Sequence, residues 1–238
     1  MLRKWEDMPD FMKCDEVKVY YDILRRRKAS LFIKRVIDVV LSFFMIVVLA
    51  IPMIIIALIV KLDSAGPVFY RQERITTCGK RFRIHKFRTM VANADKIGAA
   101  VTTSGDSRIT KVGAKLRDYR LDELPQVIDV FCGNMSFVGV RPEVKKYVDC
   151  YKPEWRATLL LPAGITNLTS IYYKDEGRLL NGAVDVDKTY KEEILPGKMK
   201  WNLKGIKEFS VLNDINLMIM TILAVLGKQF KEIDLENR

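Results

Sequence analysis

The hydrophobic pattern of this chain is dominated by one stretch, residues 36–60, which is almost wholly Val, Ile, Leu, Phe, Met and Ala. Asp38, Ser42 and Pro52 are its interruptions. As a helix it would measure roughly 37 Å at about 1.5 Å per residue, enough to cross a hydrocarbon core of about 30 Å. Its apolarity runs around the whole helix, which argues against the alternative of a buried helix in a soluble core. The stretch therefore predicts a membrane segment.

The charge around this segment bears on its topology. Clusters of Arg and Lys flank it on both sides, within residues 25–35 and residues 61–88. Cytoplasmic flanks are the ones expected to be basic, so both ends are predicted to lie on the cytoplasmic side. Pro52 would remove one helical hydrogen bond and clash with the preceding turn. We favour a re-entrant helix over residues 34–61 that bends at Pro52. A straight span is the alternative, because membrane helices tolerate proline.

The remaining pattern predicts an α+β, mostly helical fold. Residues 1–33 are predicted to form a basic lead-in with a helix from Asp15 or Glu16, and residues 62–238 a small cytoplasmic domain. Alternating apolar and basic residues predict two short strands, at 68–70 and 81–87. A helical patch begins at Ile109, after a helix and a flexible loop within residues 91–107.

The second most apolar segment is residues 209–227. Its polar start, with Asn213, Asp214 and Asn216, favours an amphipathic helix that lies in the membrane interface or closes the soluble core. A second membrane span is the less favoured alternative.

Composition limits the partners of the chain. The formal net charge of +11 over 238 residues indicates an anionic partner: phospholipid, a phosphorylated ligand or nucleic acid. We predict no nucleic-acid partner, because no nucleic-acid motif is present and the bilayer already offers an anionic surface. The four cysteines lack CxxC or zinc-finger spacing and are predicted to be free thiols in a reducing compartment.

The strongest chemical signal is Leu-Asp-Glu-Leu-Pro-Gln at residues 121–126. Pro125 fits the first turn of a helix, which places Asp122 and Glu123 at or just before its N-terminus. The helix dipole favours ionised carboxylates there, and free amides can receive a phosphate. Neighbouring helical residues point about 100° apart, so one carboxylate can attack while the other binds a divalent ion. Helix capping without catalysis is the plain alternative.

Cations elsewhere in the sequence favour the catalytic interpretation. Arg117 precedes the two carboxylates, Arg141 and Pro142 follow them, and Lys86 and Arg88 stand in a predicted strand. Phosphoryl transfer depends largely on positioning and charge neutralisation around a phosphate. A carboxylate is a chemically acceptable nucleophile toward phosphorus.

Four motifs in order carry a family resemblance: Lys-Arg-Val-Ile-Asp at 34–38, Lys-Phe-Arg-Thr-Met at 86–90, the motif at 121–126, and Met-Ser-Phe-Val-Gly with Arg-Pro at 135–142. From about residue 34 to residue 226 the chain resembles the bacterial sugar transferases, the monotopic phosphoglycosyl transferases that act on polyprenyl phosphate. The resemblance implies a re-entrant helix in the bacterial inner membrane. It also implies transfer of a sugar phosphate from a UDP-sugar to polyprenyl phosphate on the cytoplasmic face, with release of UMP.

The resemblance assigns roles to individual residues. It makes Asp122 the nucleophile that forms a phosphosugar intermediate, and Glu123 the ligand of Mg²⁺. Substrate binding falls to Arg117, Arg141 and Pro142, and contact with lipid headgroups to Lys34 and Arg35. Lys86 and Arg88 are added to the substrate-binding residues as cations near the substrate. Asp214 matches a family aspartate without an assigned role.

Departures from the family pattern concern the bend and the donor. Ile51 replaces the serine common before the bending proline, and Val140, Asn167 and Thr76 replace family Pro, Gly and Gly. Donor specificity is expected in the variable segment 161–196, where the polar candidates are Asp175, Glu176, Arg178, Asp185 and Asp187.

Three further expectations complete the sequence prediction. His85, the sole histidine, is expected to be a structural or rim residue rather than a catalytic base, because no orienting partner is evident nearby in the sequence. The chain is compatible with a homo-oligomer. The alternative function is a non-catalytic, membrane-anchored binding or scaffold protein.

Overall fold

A computed structural model of the chain describes residues 2–94, 106–172, 185–228 and 230. The α-helices within these residues are α1 (Asp15–Arg26), α2 (Lys28–Asp63), α3 (Lys111–Asp118), α4 (Gln126–Phe131), α5 (Lys145–Val148), α6 (Leu168–Tyr172), α7 (Val186–Thr189), α8 (Leu195–Lys207) and α9 (Val211–Val225). The strands are β1 (Phe69–Tyr70), β2 (Glu73–Ile75), β3 (Arg81–Arg83), β4 (Lys86–Phe87), β5 (Met135–Val138) and β6 (Ala163–Thr166). The predicted mostly helical α+β class is confirmed.

Helix α1 follows the charge pattern that favours helix ends. Asp15 and Glu16 occupy its first turn, and Arg25 and Arg26 its last, which complements the helix dipole. Its inner side joins the largest apolar core, which is closed by α8 and the 3-10 helix Glu154–Leu159. The helix predicted from Asp15 is therefore confirmed.

Helix α2 contains the predicted membrane segment and is longer than predicted. It begins at Lys28, ends at Asp63 and runs through Pro52 as one helix, rather than covering only residues 34–61. It is long and apolar enough to cross a membrane, and most of its large side chains are exposed. A continuous helix leaves the re-entrant topology a prediction.

The polar interruptions of α2 have a packing role that the sequence did not reveal. Lys34, Asp38 and Ser42 are all buried, and their spacing of four residues places them on one face of the helix. Asp38 Oδ1 accepts hydrogen bonds from the Ser136 hydroxyl and the Phe137 N–H, both at 3.1 Å. These residues therefore dock the first half of α2 against β5.

The second half of α2 contacts the same domain at another point. Val60 packs with Phe87 and Leu116 in a separate apolar cluster, and Met53 and Ile56 join its edge. Both halves of the apolar helix thus touch the folded domain that follows it.

The strand predicted at 68–70 is confirmed as β1, the strand predicted at 81–87 is divided into β3 and β4, and β2 lies in the loop predicted between them. β1 pairs with β4 and β2 with β3, both antiparallel. The division arises because the N–H of His85, between β3 and β4, donates to Asp129 Oδ2 at 2.8 Å instead of to a strand. A third pair, β5 with β6, is parallel.

The remaining element predictions are confirmed where the structure describes them. α3 matches the patch predicted from Ile109, and α9 matches residues 209–227. The helix and loop expected over 91–107 fall largely outside the described residues. Exposed apolar side chains on α9, among them Leu212, Ile219 and Ile222, are compatible with an interfacial position, which stays a prediction.

Candidate active site

The two adjacent carboxylates lie in a 3-10 turn, Leu121–Glu123, which follows α3 and leads into α4. Arg120 enters the turn in the left-handed conformation, with φ 57°, a strained backbone that costs a non-glycine residue on the order of 1–3 kcal/mol. Pro125 is the N-cap residue of α4. The prediction that Asp122 and Glu123 precede a helix N-terminus is confirmed.

Glu123 is held between two cations. Its Oε1 accepts hydrogen bonds from Lys86 Nζ at 2.7 Å and Arg141 Nη2 at 2.6 Å, and its Oε2 accepts a longer one from Arg141 Nη1 at 3.4 Å. Burial by itself would raise the pKa of this carboxyl group, but the charges and hydrogen bonds of Arg141 and Lys86 hold that pKa well below its usual value. Glu123 is therefore ionised throughout the neutral pH range.

Asp122 has the opposite environment. It is buried, with 8% of its surface exposed. Burial and the neighbouring Glu123 raise its pKa, against the opposing charges of Lys86, Arg117 and Arg120. Its carboxylate is thus the less stabilised of the two, and the better suited to form a bond with an incoming electrophile.

Lys86 connects strand β4 to this turn. Burial lowers the pKa of its ammonium group, and Glu123 counteracts that effect. Arg117 approaches from α3, where its Nε donates to Thr89 Oγ1 at 2.9 Å. The predicted cations Lys86, Arg117 and Arg141 are therefore gathered around the two carboxylates.

Arg88 was predicted to bind substrate, and the structure places it elsewhere. It is buried, and its Nη2 donates to the carbonyl and hydroxyl oxygens of Ser64, at 2.5 and 2.9 Å. Ser64 is the C-cap residue of α2. The guanidinium group therefore contacts the end of the apolar helix. The sequence prediction missed this because alternation along a strand does not reveal which neighbour covers each side of it.

The turn that contains Arg141 and Pro142 is held by hydrogen bonds from neighbouring side chains. Arg74 Nη1 donates to the Pro142 carbonyl at 3.3 Å. Glu143, which comes next, accepts from the Tyr190 hydroxyl at 2.6 Å and from Lys198 Nζ at 3.3 Å in a buried cluster. This cluster links the turn to the segment where donor specificity was predicted.

Within that segment, two of the polar candidates have structural partners. Asp185 caps α7, and Asp187 accepts from the Tyr147 hydroxyl at 2.6 Å. The candidates Asp175, Glu176 and Arg178 lie outside the described residues.

Lys34 and Arg35 do not have the free orientation that a headgroup contact requires. Lys34 Nζ is buried and donates to Asp214 Oδ2 at 2.6 Å and to the Val138 carbonyl at 2.7 Å. Arg35 donates to the carbonyls of Val130 and Phe131, at 2.8 and 2.9 Å, and so caps α4. The predicted headgroup contact is therefore not seen for either residue, because carbonyls at the end of α4 lie within reach of Arg35, and the Val138 carbonyl and the buried Asp214 carboxylate within reach of Lys34. Asp214, whose role was open, is the ion-pair partner of Lys34.

The sequence analysis missed a partner for His85. Asp129 on α4 is buried, and its Oδ1 lies 2.9 Å from His85 Nδ1. With the His85 N–H bound by the other oxygen, this carboxylate ties α4 to the residue before Lys86. The signal was hidden because the two residues are 44 positions apart.

The carboxylates of the site suit a metal cation that is bound partly by the protein and partly by a substrate phosphate, rather than one enclosed by protein ligands. Among residues 2–94, 106–172 and 185–228, no cluster of three His, Cys, Asp or Glu side chains could hold a metal ion. A carboxylate has about four lone-pair sites, and Glu123 Oε2 accepts only the long 3.4 Å bond. Mg²⁺ usually keeps waters and binds one or two carboxylates plus substrate phosphates. The site fits that mode.

Comparisons with known proteins identify the family of the chain. The family model described as bacterial sugar transferase matches residues 29–228. The UDP-N-acetylgalactosamine-undecaprenyl-phosphate N-acetylgalactosaminephosphotransferase of Aeromonas hydrophila is 33% identical over 198 residues, which cover 82% of this chain and 44% of the relative.

Other relatives are named UDP-glucose:undecaprenyl-phosphate glucose-1-phosphate transferase, among them proteins of Caulobacter vibrioides and Escherichia coli. That of Caulobacter vibrioides is 33% identical, with 81% of this chain and 69% of the relative covered. That of Escherichia coli is 35% identical, with 80% of this chain and 39% of the relative covered. The chain thus spans less than half of the Aeromonas and Escherichia proteins. With the family model covering most of its length, the chain belongs to the bacterial sugar transferase family.

Proposed function

We propose that this chain transfers a sugar-1-phosphate from a UDP-sugar to polyprenyl phosphate, on the cytoplasmic face of the bacterial inner membrane. The observation that carries the proposal is the buried Asp122 beside an ionised Glu123 that Lys86 and Arg141 hold in place. The names of the relatives, which specify UDP-sugars and undecaprenyl phosphate, supply the substrate classes.

The reaction proceeds by two displacements. In the first, an oxygen of Asp122 forms a bond to the phosphorus that bears the sugar, the bond to the bridging oxygen breaks, and UMP leaves with the electron pair. In the second, a phosphate oxygen of the polyprenyl phosphate attacks the same phosphorus and displaces Asp122. Lys86, Arg117 and Arg141 neutralise the phosphate charge in both steps.

Mg²⁺ is proposed as the cofactor, with Glu123 as its protein ligand. When bound, the ion neutralises the diphosphate and orients it for in-line displacement. The ion pairs of Glu123 with Lys86 and Arg141 keep this carboxylate ionised and oriented toward the donor.

For the membrane we propose a re-entrant α2 that bends at Pro52. Both halves of the helix contact the same domain, through Asp38 at β5 and through Val60 near β4. A helix that crossed the bilayer would separate these two contacts. Phospholipid then surrounds the exposed apolar side chains of α2 and α9.

The test uses radiolabelled UDP-sugars, Mg²⁺ and polyprenyl phosphate in vesicles. We expect label in the lipid fraction, UMP in solution and loss of both with Asp122→Asn. Asp118→Asn is the matched control, because Asp118 is an exposed aspartate at the end of α3. Full turnover in Asp122→Asn would show that the nucleophile is misassigned. Absence of UMP release by the wild type with every donor would favour a scaffold protein.

A further inference from the structure

Arg88 occupies a position that the proposed reaction does not use directly. We propose that Arg88 is a positioning residue that fastens the C-terminal end of the membrane helix α2 to the catalytic strand β4, and so sets where the Asp122 turn lies relative to the bilayer. The inference rests on the proposed function, since it concerns access of a membrane acceptor to that turn.

The first step of the argument is the contact itself. The last carbonyls of a helix have no helical partner, and a cation is favoured beside them. Arg88 Nη2 donates to the Ser64 carbonyl at 2.5 Å, to the Ser64 hydroxyl at 2.9 Å and to the Val60 carbonyl at 3.4 Å. One guanidinium nitrogen therefore binds the Val60 carbonyl in the last turn of α2 and both oxygens of the C-cap residue Ser64.

The second step is the shape of the turn around this group. Gly66 has φ +127°, and a Cβ at that position would lie 2.3 Å from Arg88 Nη1. The turn after α2 passes so close to the guanidinium group that a Cβ at Gly66 would force this group to shift. The geometry of the turn and the placement of Arg88 depend on each other.

The third step follows the strand from Arg88 to the active site. Two residues earlier, Lys86 binds Glu123. One residue later, Thr89 accepts a hydrogen bond from Arg117 at 2.9 Å. The Arg88 N–H donates to the Val68 carbonyl at 2.9 Å, which anchors the strand. Strand β4, the turn that contains Glu123, and Arg117 are therefore bound to one another, so release of the α2 end would move the membrane helix relative to this unit and leave the unit itself intact.

The fourth step is energetic. Arg88 has 6% of its surface exposed, and its Nε and Nη1 have no hydrogen-bond partner among the described residues. In the described part of the chain it also has no carboxylate within ion-pair distance. A buried cation without a counter-charge is unfavourable for stability. The arrangement is better explained by a geometric requirement than by stability alone.

The experiment separates the two displacements by using full-length protein in vesicles. The first assay measures the UMP burst without acceptor, the second measures transfer to a short, soluble prenyl phosphate, and the third measures transfer to long-chain polyprenyl phosphate in the bilayer. For Arg88→Ala we expect the first two rates to stay within about twofold. The third should fall about ten- to a hundredfold, the scale expected when reacting groups are misplaced by about 1 Å.

Two further variants keep the test decisive if Arg88→Ala folds poorly. Gly66→Ala should reproduce the selective loss, because its Cβ displaces the guanidinium group and its φ of +127° strains the turn, both without removing the charge. Arg88→Lys should restore part of the bilayer transfer. Arg83→Ala, which removes an exposed arginine on β3, should behave as wild type.

Each outcome is decisive. An equal fall in all three assays, or no fall in any, would overturn the inference. Absence of a UMP burst from the wild type would contradict the proposed function instead.

Discussion

At the residue scale, two neighbouring carboxylates differ because their surroundings differ. Glu123 receives hydrogen bonds from Lys86 and Arg141, which hold its pKa low, whereas burial raises the pKa of Asp122. Divergent pKa values in adjacent acids are typical of catalytic pairs. The same local sequence in an exposed helix cap would titrate as two ordinary acids.

The first prediction concerns the stability of Asp122→Asn. A raised pKa in the folded state means that ionisation of Asp122 costs stability as the pH rises above its usual range. Asparagine removes this cost, so the variant should gain about 0.5–2 kcal/mol of unfolding free energy at neutral pH, while transfer falls by at least about 10⁴-fold. Thermal unfolding without Mg²⁺ measures the gain, which should vanish on acidification. A less stable variant at pH 7 would contradict the argument.

The second prediction concerns the pH profile of kcat/KM. Asp122 must be ionised and Lys86 protonated, and burial raises the pKa of the first and lowers that of the second. We expect a bell-shaped profile with both limbs moved toward neutrality. Lys86→Arg should remove the alkaline limb, because guanidinium stays charged. An alkaline limb unchanged by that substitution would assign it to another group.

At the scale of elements, the site depends on how α2, β5, β6 and α9 are joined. Lys34 links α2 to α9 through Asp214 and to β5 through the Val138 carbonyl. β5 ends just before the turn that contains Arg141, and its parallel pairing with β6 fixes the direction of that turn. Substitutions in these connections should therefore alter the site although the substituted residues do not contact it.

The third prediction concerns the Lys34–Asp214 pair. Lys34→Ala leaves Asp214 buried without its partner and should cost about 3–5 kcal/mol of stability. Adding Asp214→Asn should recover part of the loss, because the unpaired charge is removed. Thermal unfolding in detergent measures both variants, with Lys28→Ala, an exposed lysine of the same helix, as the control. Equal effects of Lys34→Ala and Lys28→Ala would show that the pair is unimportant.

The fourth prediction concerns two glycines. A Cβ at Gly164 would lie 2.1 Å from the Gly139 nitrogen, whereas one at Gly205 meets nothing within 4 Å. Gly164→Ala should therefore separate β5 from β6 and lower both stability and transfer. Gly205→Ala, within α8, should stabilise by up to about 1 kcal/mol. Circular dichroism melts and UMP release measure both, and a neutral Gly164→Ala would contradict the close approach.

At the scale of the whole molecule, one long apolar helix and one folded domain share two separate contacts. The Asp38 contact at β5 and the Val60 contact near β4 lie in opposite halves of α2. The position of the active site relative to the membrane therefore follows from the path of this helix.

The fifth prediction concerns that path. Single cysteines at Lys28 and Leu62, both exposed, should react with an impermeant thiol reagent only after the cytoplasmic side is opened. The native cysteines are first replaced by serine, except that Cys150, which is exposed, is kept in a separate variant as the marker of the catalytic domain. Labelling of one end from outside would establish a straight span and exclude the re-entrant proposal.

How far prediction reached depended on the range of each interaction. Periodicity and helix-end preferences are local, so the bounds of α1, α3 and α9 and the turn at Asp122 were predicted well. The division of the predicted strand 81–87 into β3 and β4 was not, because it depends on Asp129 binding the N–H of His85 across 44 positions. The partners of individual Lys and Arg residues could not be predicted for the same reason, because the residue type indicates the charge of a side chain but not which group it binds.

The sequence alone determined the apolar helix, the adjacent carboxylates before a helix, the excess of cations and the family. Only the tertiary structure decided which cations serve which purpose. Lys86 and Arg141 bind Glu123, whereas Arg88, Arg35 and Lys34 bind helix ends, strands or a buried carboxylate. The physical reason is that a charged side chain finds its partner through packing over long separations, 180 residues for Lys34 and Asp214, and local sequence contains no record of that packing.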